Sequence, residues 1–152
     1  MQITSQELLA AAQEIKQEIL TDRRTIHQHP EVGTQLPITK AYVIKRLIEL
    51  GYEPQEVCDS GVVATITGKD TGRCILLRAD MDALHIQEQT DLDFKSQNDA
   101  MHACGHDMHT AMLLGAANLL RQYQAQINGT VKLVFQPDEE GFTGAKSMLA
   151  AG

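Results

Sequence analysis

The chain has 152 residues, 43% of them hydrophobic and 22% charged, with a formal net charge of −7. That is enough for about one domain with its own core, in a composition that excludes wholesale disorder and collagen-like repeats. The acidic balance, the 4% aromatic content and the lack of tryptophan exclude a nucleic-acid surface built from basic groups and stacking rings.

No apolar run approaches the roughly 18 residues of a membrane span, so no membrane association is expected. Glu7, Glu14 and Glu18 do not fit a signal peptide. Thr4-Ser5-Gln6-Glu7 reads as a capping box that opens a helix. Leu8, Ile15, Ile19 and Ile26 give this helix one apolar face, and Pro30 predicts its end near His29. Pro37 suits the first turn of a second helix. Val43, Ile44, Leu47 and Ile48 line its buried face, and Gly51 stops it.

The texture changes at Glu56. Residues 61–67 read as a strand, closed by a turn at 68–72. Cys74-Ile-Leu-Leu77 is a continuous apolar run, the mark of a strand buried on both faces, and it leads into Asp80 and Asp82. Residues 85–100 are polar and irregular, hence a loop. From Gly105 to Gln124 the pattern is a helix apolar nearly all round, so a buried one. Asn128-Gly129 marks a turn, Val131–Phe135 a buried strand, and Gly141–Ala151 the start of another helix. Helix, helix, hairpin, strand, helix, strand, helix is an α/β order, with a mixed sheet flanked by helices.

Three cysteines (Cys58, Cys74 and Cys104) at irregular spacing do not suggest a disulfide framework. A reducing cytoplasm is the default expectation. Three polar groups fall just past strand ends or at a helix start: Asp80/Asp82, Cys104/His106/Asp107/His109 and Glu139/Glu140. Ligand sites in α/β sheets lie beyond the carboxyl ends of the strands, so the three segments are placed to converge on one crevice.

If the backbone at Cys104-Gly-His106 is extended, thiolate and imidazole face the same way and suit one divalent ion. A buried cysteine beside a helix-start histidine is the plainer reading of Cys-x-His alone. With His102, His106, His109, Cys104 and Asp107 inside eight residues, metal is favoured. Adjacent Glu139 and Glu140 point to different sides, so one can bind metal while the other reaches a water. Alone, such a pair also suits a helix dipole. Asp80 and Asp82 can bind metal or hold a ligand imidazole in its tautomer. His27 and His29 read as histidines at home in a last helical turn.

Together these residues resemble the aminoacylase/carboxypeptidase-G-type metallopeptidase family. The branch they resemble is the amidohydrolases of N-acyl amino acids, such as hippurate hydrolase and indoleacetyl-amino-acid hydrolase. The matching stretches are 24–33 (RTIHQHPEVG), 77–84 (LRADMDAL), 101–117 (MHACGHDMHTAMLLGAA) and 135–141 (FQPDEEG), in the family's order. The resemblance implies a catalytic domain that binds two divalent ions, with zinc, manganese, cobalt and nickel all compatible. It implies that Cys104 bridges the metals, that His106 and Glu140 are ligands, that Glu139 is the catalytic base, and that Asp82 is a supporting carboxylate. Asp80 stands where other branches place a ligand histidine, and Asp107 where they place a bridging aspartate. His102 and His109 are further candidates for ligand or support.

The implied substrate is a small N-acyl amino acid, cleaved by metal-activated water. Family members are more than twice as long. Residues 1–152 are therefore expected to be the N-terminal portion of the catalytic domain, without two further ligand histidines or the domain that mediates homo-oligomerisation. Inactivity alone is expected. A non-catalytic metal-binding module and a remnant docking on a full-length relative are the other readings. His85 and Asp138 depart from the family pattern, Asp138 by placing a like charge beside Glu139.

Overall fold

The computed structural model describes residues 3–69 and 72–152. Thr4 caps the first helix as expected: its hydroxyl accepts from the Glu7 N–H at 3.2 Å, and its own N–H donates to the Glu7 carboxylate at 2.8 Å. The single helix expected up to His29 is instead two, α1 (Ser5–Glu14) and α2 (Lys16–His27). At Ile15 the backbone leaves helical geometry (φ −89°, ψ 4°). The reason lies in packing. Ile15 and Ile19 seat over Gly115, where a Cβ would meet Ile19 Cδ1 at 2.7 Å and Ile15 Cδ1 at 3.9 Å.

Helix α3 (Pro37–Glu49) starts on its proline, and left-handed Gly51 (φ 82°) follows its end. Leu36, at its N-cap, offers no side-chain acceptor. The Glu31 carboxylate substitutes, accepting from the N–H groups of Ile38 and Thr39 at 3.1 and 2.8 Å.

Strands β1 (Gln55–Val57) and β2 (Gly61–Thr67) form the hairpin. Strands β3 (Cys74–Asp80) and β4 (Thr130–Gln136) are joined through α4 (His106–Gln122) and run parallel. The mixed sheet has the order β1-β2-β4-β3, with β2 antiparallel to both its neighbours. Register places Val62 opposite Phe135, Ala64 opposite Leu133 and Ile66 opposite Val131, all buried. Val43 and Leu47 of α3 and Leu113, Leu114 and Ala117 of α4 complete this core. The Tyr52 hydroxyl donates to the Ala117 carbonyl at 2.8 Å. Among the described residues no helix is long and apolar enough to cross a membrane.

Three expectations change. Strand β3 is not buried on both faces: it is the edge of the sheet, with Ile75 60% and Leu76 58% exposed. An apolar run encodes burial only where a layer covers it, and α4 covers β3 chiefly toward its end at Ala79 and Asp80, which are buried. Helix α4 is likewise open on one side, where Met108 and Met112 are exposed. The last helix, α5 (Gly144–Ala151), starts three residues later than expected, because residues 139–142 form a turn. Residues 70 and 71 of the expected 68–72 turn lie outside the described residues.

The turn at 139–142 depends on close approach around its glycines. A Cβ on Gly144 would stand 1.6 Å from the Pro137 carbonyl oxygen, and one on Gly141 would stand 2.2 Å from Asp138 Oδ1. Gly144→Ala is therefore expected to destabilise the chain by about 3 kcal/mol, the upper end for overpacking. Urea unfolding measures it, and a loss under about 1 kcal/mol would contradict the tight turn.

Candidate metal centre

Because β3 and β4 run parallel with Asp80 level with Gln136, the chain leaves both strands at the same end of the sheet. Asp82 follows β3, and Glu139 and Glu140 follow β4. The N-terminus of α4 returns to this end, with His106 as its first residue. The three segments converge as expected.

The local backbone is not the extended one anticipated at Cys104-Gly-His106. Gly105 is left-handed (φ 95°, ψ 19°), a conformation that favours glycine. Even so, ligand atoms of Cys104, His106 and Glu140 lie within 4.8 Å of one another, as do those of Asp80, His106 and His109.

His106 is the hub. Its Nδ1 donates to the Asp82 main-chain carbonyl at 2.8 Å, with Asp82 Oδ1 at 3.4 Å. A carbonyl can only accept, so a proton sits on Nδ1, and in the neutral ring Nε2 carries the lone pair. Nε2 faces Asp80 Oδ1 at 3.7 Å, Glu140 Oε1 at 3.8 Å and Glu139 Oε2 at 3.9 Å. Asp82 Oδ2 accepts from the Glu140 N–H at 3.0 Å, fastening the turn after β4 to the chain after β3.

The electrostatics follow from four carboxylates around one imidazole. Burial pushes His106 down, but the Asp82 hydrogen bond and the Asp80 charge outweigh it and leave the pKa raised. Burial pushes Asp82 up, but the adjacent His106 ring and the neighbouring Glu139 and Glu140 N–H groups leave it below the usual carboxylate range. The Cys104 thiol is pushed up, first by its hydrogen bond with Glu140, then by burial and the surrounding carboxylates. The buried Glu140 Oε1 and Asp82 Oδ1 have no hydrogen-bond partner. The Glu140 acceptor, buried and gathered with the Cys104 thiol and the His106 Nε2, matches what a divalent cation supplies, so the residues fit a metal ion.

The other expected residues separate clearly. Asp80 has a donor on each oxygen: Arg78 Nη1 donates to Oδ2 and His109 Nδ1 to Oδ1, each at 2.7 Å. His109 stacks on His106, with ring centroids 5.7 Å apart. Asp107 is buried but belongs to neither ligand cluster. Its Oδ2 accepts from Arg23 Nε at 2.9 Å and His27 Nδ1 at 2.8 Å, both on α2. His85 is exposed, outside both clusters. Asp138 is left-handed (φ 50°), and its carboxylate accepts from the Thr143 hydroxyl, inside the turn.

His102 is buried with neither ring nitrogen partnered, and burial pushes its pKa down to about 4. It folds neutral, while the unfolded chain takes up a proton below its ordinary 6.5. Its contribution is therefore complete above pH 6.5 and is lost as pH falls toward 4, about 3 kcal/mol in all. Urea midpoints between pH 7 and 4.5 should fall in the wild type and flatten in His102→Leu. Parallel slopes would refute it.

Composition and spacing missed His27 and Glu88. His27 was read as an ordinary last-turn histidine. It is buried, with Nδ1 on Asp107 and Nε2 3.2 Å from Glu88 Oε1. The available signal was the 24–33 stretch, which was recognisable yet had no assigned chemistry.

A mixed α/β sheet that gathers thiol, imidazole and carboxylates past its parallel strand ends is an arrangement able to hold a divalent ion. The sequence pattern of peptidase family M20/M25/M40 matches residues 76–152, and the chain belongs to that family. It is 46% identical over 140 residues to the N-acetylcysteine deacetylase of Bacillus subtilis, covering 88% of this chain and 36% of that protein. It is 46% identical over 132 residues to the hippurate hydrolase of Campylobacter jejuni, covering 86% of this chain and 34% of that protein. Among solved structures, it superposes on the Bacillus subtilis YXEP protein, a dinuclear metal binding peptidase from the M20 family. The TM-score is 0.88 and the identity 44%, over 92% of this chain and 40% of that one. The chain thus spans well under half the length of these relatives.

Proposed function

We propose that residues 1–152 form the N-terminal, metal-holding portion of the catalytic domain of an amidohydrolase that cleaves the amide bond of small N-acyl amino acids. The observation that carries this is the Cys104/His106/Glu140 cluster, with Glu140 Oε1 buried and unpartnered beside it. The names of the deacetylase and the hippurate hydrolase support the substrate class. The dinuclear neighbour supports two divalent ions.

Cys104, His106 and Glu140 would hold metal. Bound metal lowers the pKa of water and polarises a carbonyl. The chain's own groups do the rest. Asp82 keeps the His106 lone pair on Nε2. Glu139, half-buried and 3.9 Å from that nitrogen, takes a proton from the attacking water and returns it to the leaving nitrogen. The products are a carboxylic acid and a free amino acid. A reducing cytoplasm suits the free Cys104 thiol. Three of the ligands implied by the resemblance, Cys104, His106 and Glu140, lie within residues 1–152.

Cobalt(II) titration of the chain tests this. At least one ion per chain is expected, with a thiolate-to-cobalt absorption band that Cys104→Ser removes at unchanged far-UV circular dichroism. A folded wild type that takes no stoichiometric cobalt would overturn the reading.

A further inference from the structure

The 24–33 stretch has no part in the chemistry above, yet it is hydrogen-bonded to two of the three segments that carry the site, the chain after β3 and the first turn of α4, and to the 85–100 loop. The Ala83 N–H donates to the Glu31 carbonyl at 2.8 Å, one residue after Asp82. Asn98 Nδ2 donates to the Pro30 carbonyl at 2.9 Å, and the Gln97 N–H to the Gln28 carbonyl at 3.1 Å. At its centre, His27 is 3% exposed and faces a carboxylate at each ring nitrogen. One of these, Asp107, adjoins His106 in the first turn of α4. The other, Glu88, also accepts from the Ser96 N–H at 2.6 Å and from the Thr90 hydroxyl, and so closes the 85–100 loop on itself.

We infer that His27 is a positioning residue of the metal centre: its bond to Asp107 ties α2 to the turn bearing Cys104 and His106, and its bond to Glu88 anchors that tie to the 85–100 loop. The assignment rests on the reading of Cys104, His106 and Glu140 as metal ligands. Asp107 takes Arg23 and His27 on one oxygen, so its carboxylate points away from the ligands and toward α2. Rotation of this turn moves His106 off its Asp82 carbonyl and Cys104 off Glu140. Groups hydrogen-bonded to a metal ligand commonly control its affinity by about 10–100-fold, and His27 acts one residue further out, through Asp107.

Two amide substitutions separate the ends of the ring. In His27→Asn the amide nitrogen stands in for Nδ1, keeping the Asp107 bond and losing Glu88. In His27→Gln it stands in for Nε2, keeping Glu88 and losing Asp107. Both are compared with the wild type by cobalt affinity, by thermal midpoint, and by the rate at which Cys104 reacts with an aromatic disulfide in a Cys58→Ser/Cys74→Ser background.

The asparagine variant should stay near the wild type in both site readouts. The glutamine variant should lose about tenfold or more in cobalt affinity, and its thiol rate should change several-fold. His27→Leu, which loses both bonds, should match or exceed the glutamine result. A role in stability alone would penalise both amides alike without moving the thiol rate. Equal thiol rates in the asparagine and glutamine variants overturn the inference whether or not cobalt binds. A wild type that takes no cobalt, with the thiol rate changed only in the glutamine and leucine variants, overturns the metal reading and leaves the positioning role standing.

Discussion

Replacing His106 with asparagine is expected to lower cobalt(II) affinity by more than about 100-fold while leaving the fold nearly as stable as before. The two candidate ligand clusters, Cys104/His106/Glu140 and Asp80/His106/His109, share only His106. The substitution is chosen for what it keeps. An asparagine amide reaches where Nδ1 stood and donates to the Asp82 carbonyl, so this buried acceptor is not orphaned at a cost of about 1–3 kcal/mol. The Nε2 lone pair is lost. His109→Ala separates the clusters. The Asp80 carboxylate is already occupied by Arg78 and His109 at 2.7 Å each, so that trio is a hydrogen-bonded group and its loss should change cobalt affinity only a few-fold. Strong loss in His109→Ala with little in His106→Asn would move the metal to the Asp80 side. Isothermal titration or competition with a chromogenic chelator measures both.

Much of this arrangement was legible in the residues. Patterning placed the helices, the hairpin and the β3–α4–β4 crossover. The polar groups past strand ends met at one place because parallel strands in register must release their chains at the same end of the sheet. The failures share a cause: they depended on what packs against an element rather than on the element itself. Cys74–Leu77 is an apolar run, but only a covering layer would bury it, and β3 lies at the edge. The break at Ile15 answers to Gly115, a hundred residues on. At Gly105 an extended backbone was the condition under which Cys104 and His106 would share one ion. The left-handed glycine brings the same two side chains together by another route. Spacing could place Asp107 among the ligands but could not show that Arg23 and His27 claim its carboxylate from the other side.

Those two donors set the largest stability effect expected in the chain. Asp107 is 1% exposed and holds Arg23 Nε at 2.9 Å and His27 Nδ1 at 2.8 Å on one oxygen. It also lies in the first turn of α4, where a negative charge opposes the helix dipole. Asp107→Ala leaves a guanidinium and a buried imidazole without their acceptor. Breaking a buried pair by removing one partner costs about 3–5 kcal/mol, chiefly through the charge left uncompensated. Against a total stability of about 5–15 kcal/mol for a domain, that is enough to leave the variant marginal. Arg23 is the more exposed of the two donors and can turn toward water, whereas His27 cannot, so its coupling to Asp107 should dominate. A double-mutant cycle in urea, pairing Asp107→Ala first with Arg23→Ala and then with His27→Ala, reads this directly. The cost of Asp107→Ala should shrink by at least about 1.5 kcal/mol when His27 is already absent, and by less when Arg23 is. Additive losses at His27 would mean that the carboxylate and the ring act independently and that the tie between α2 and the metal-bearing turn lies elsewhere.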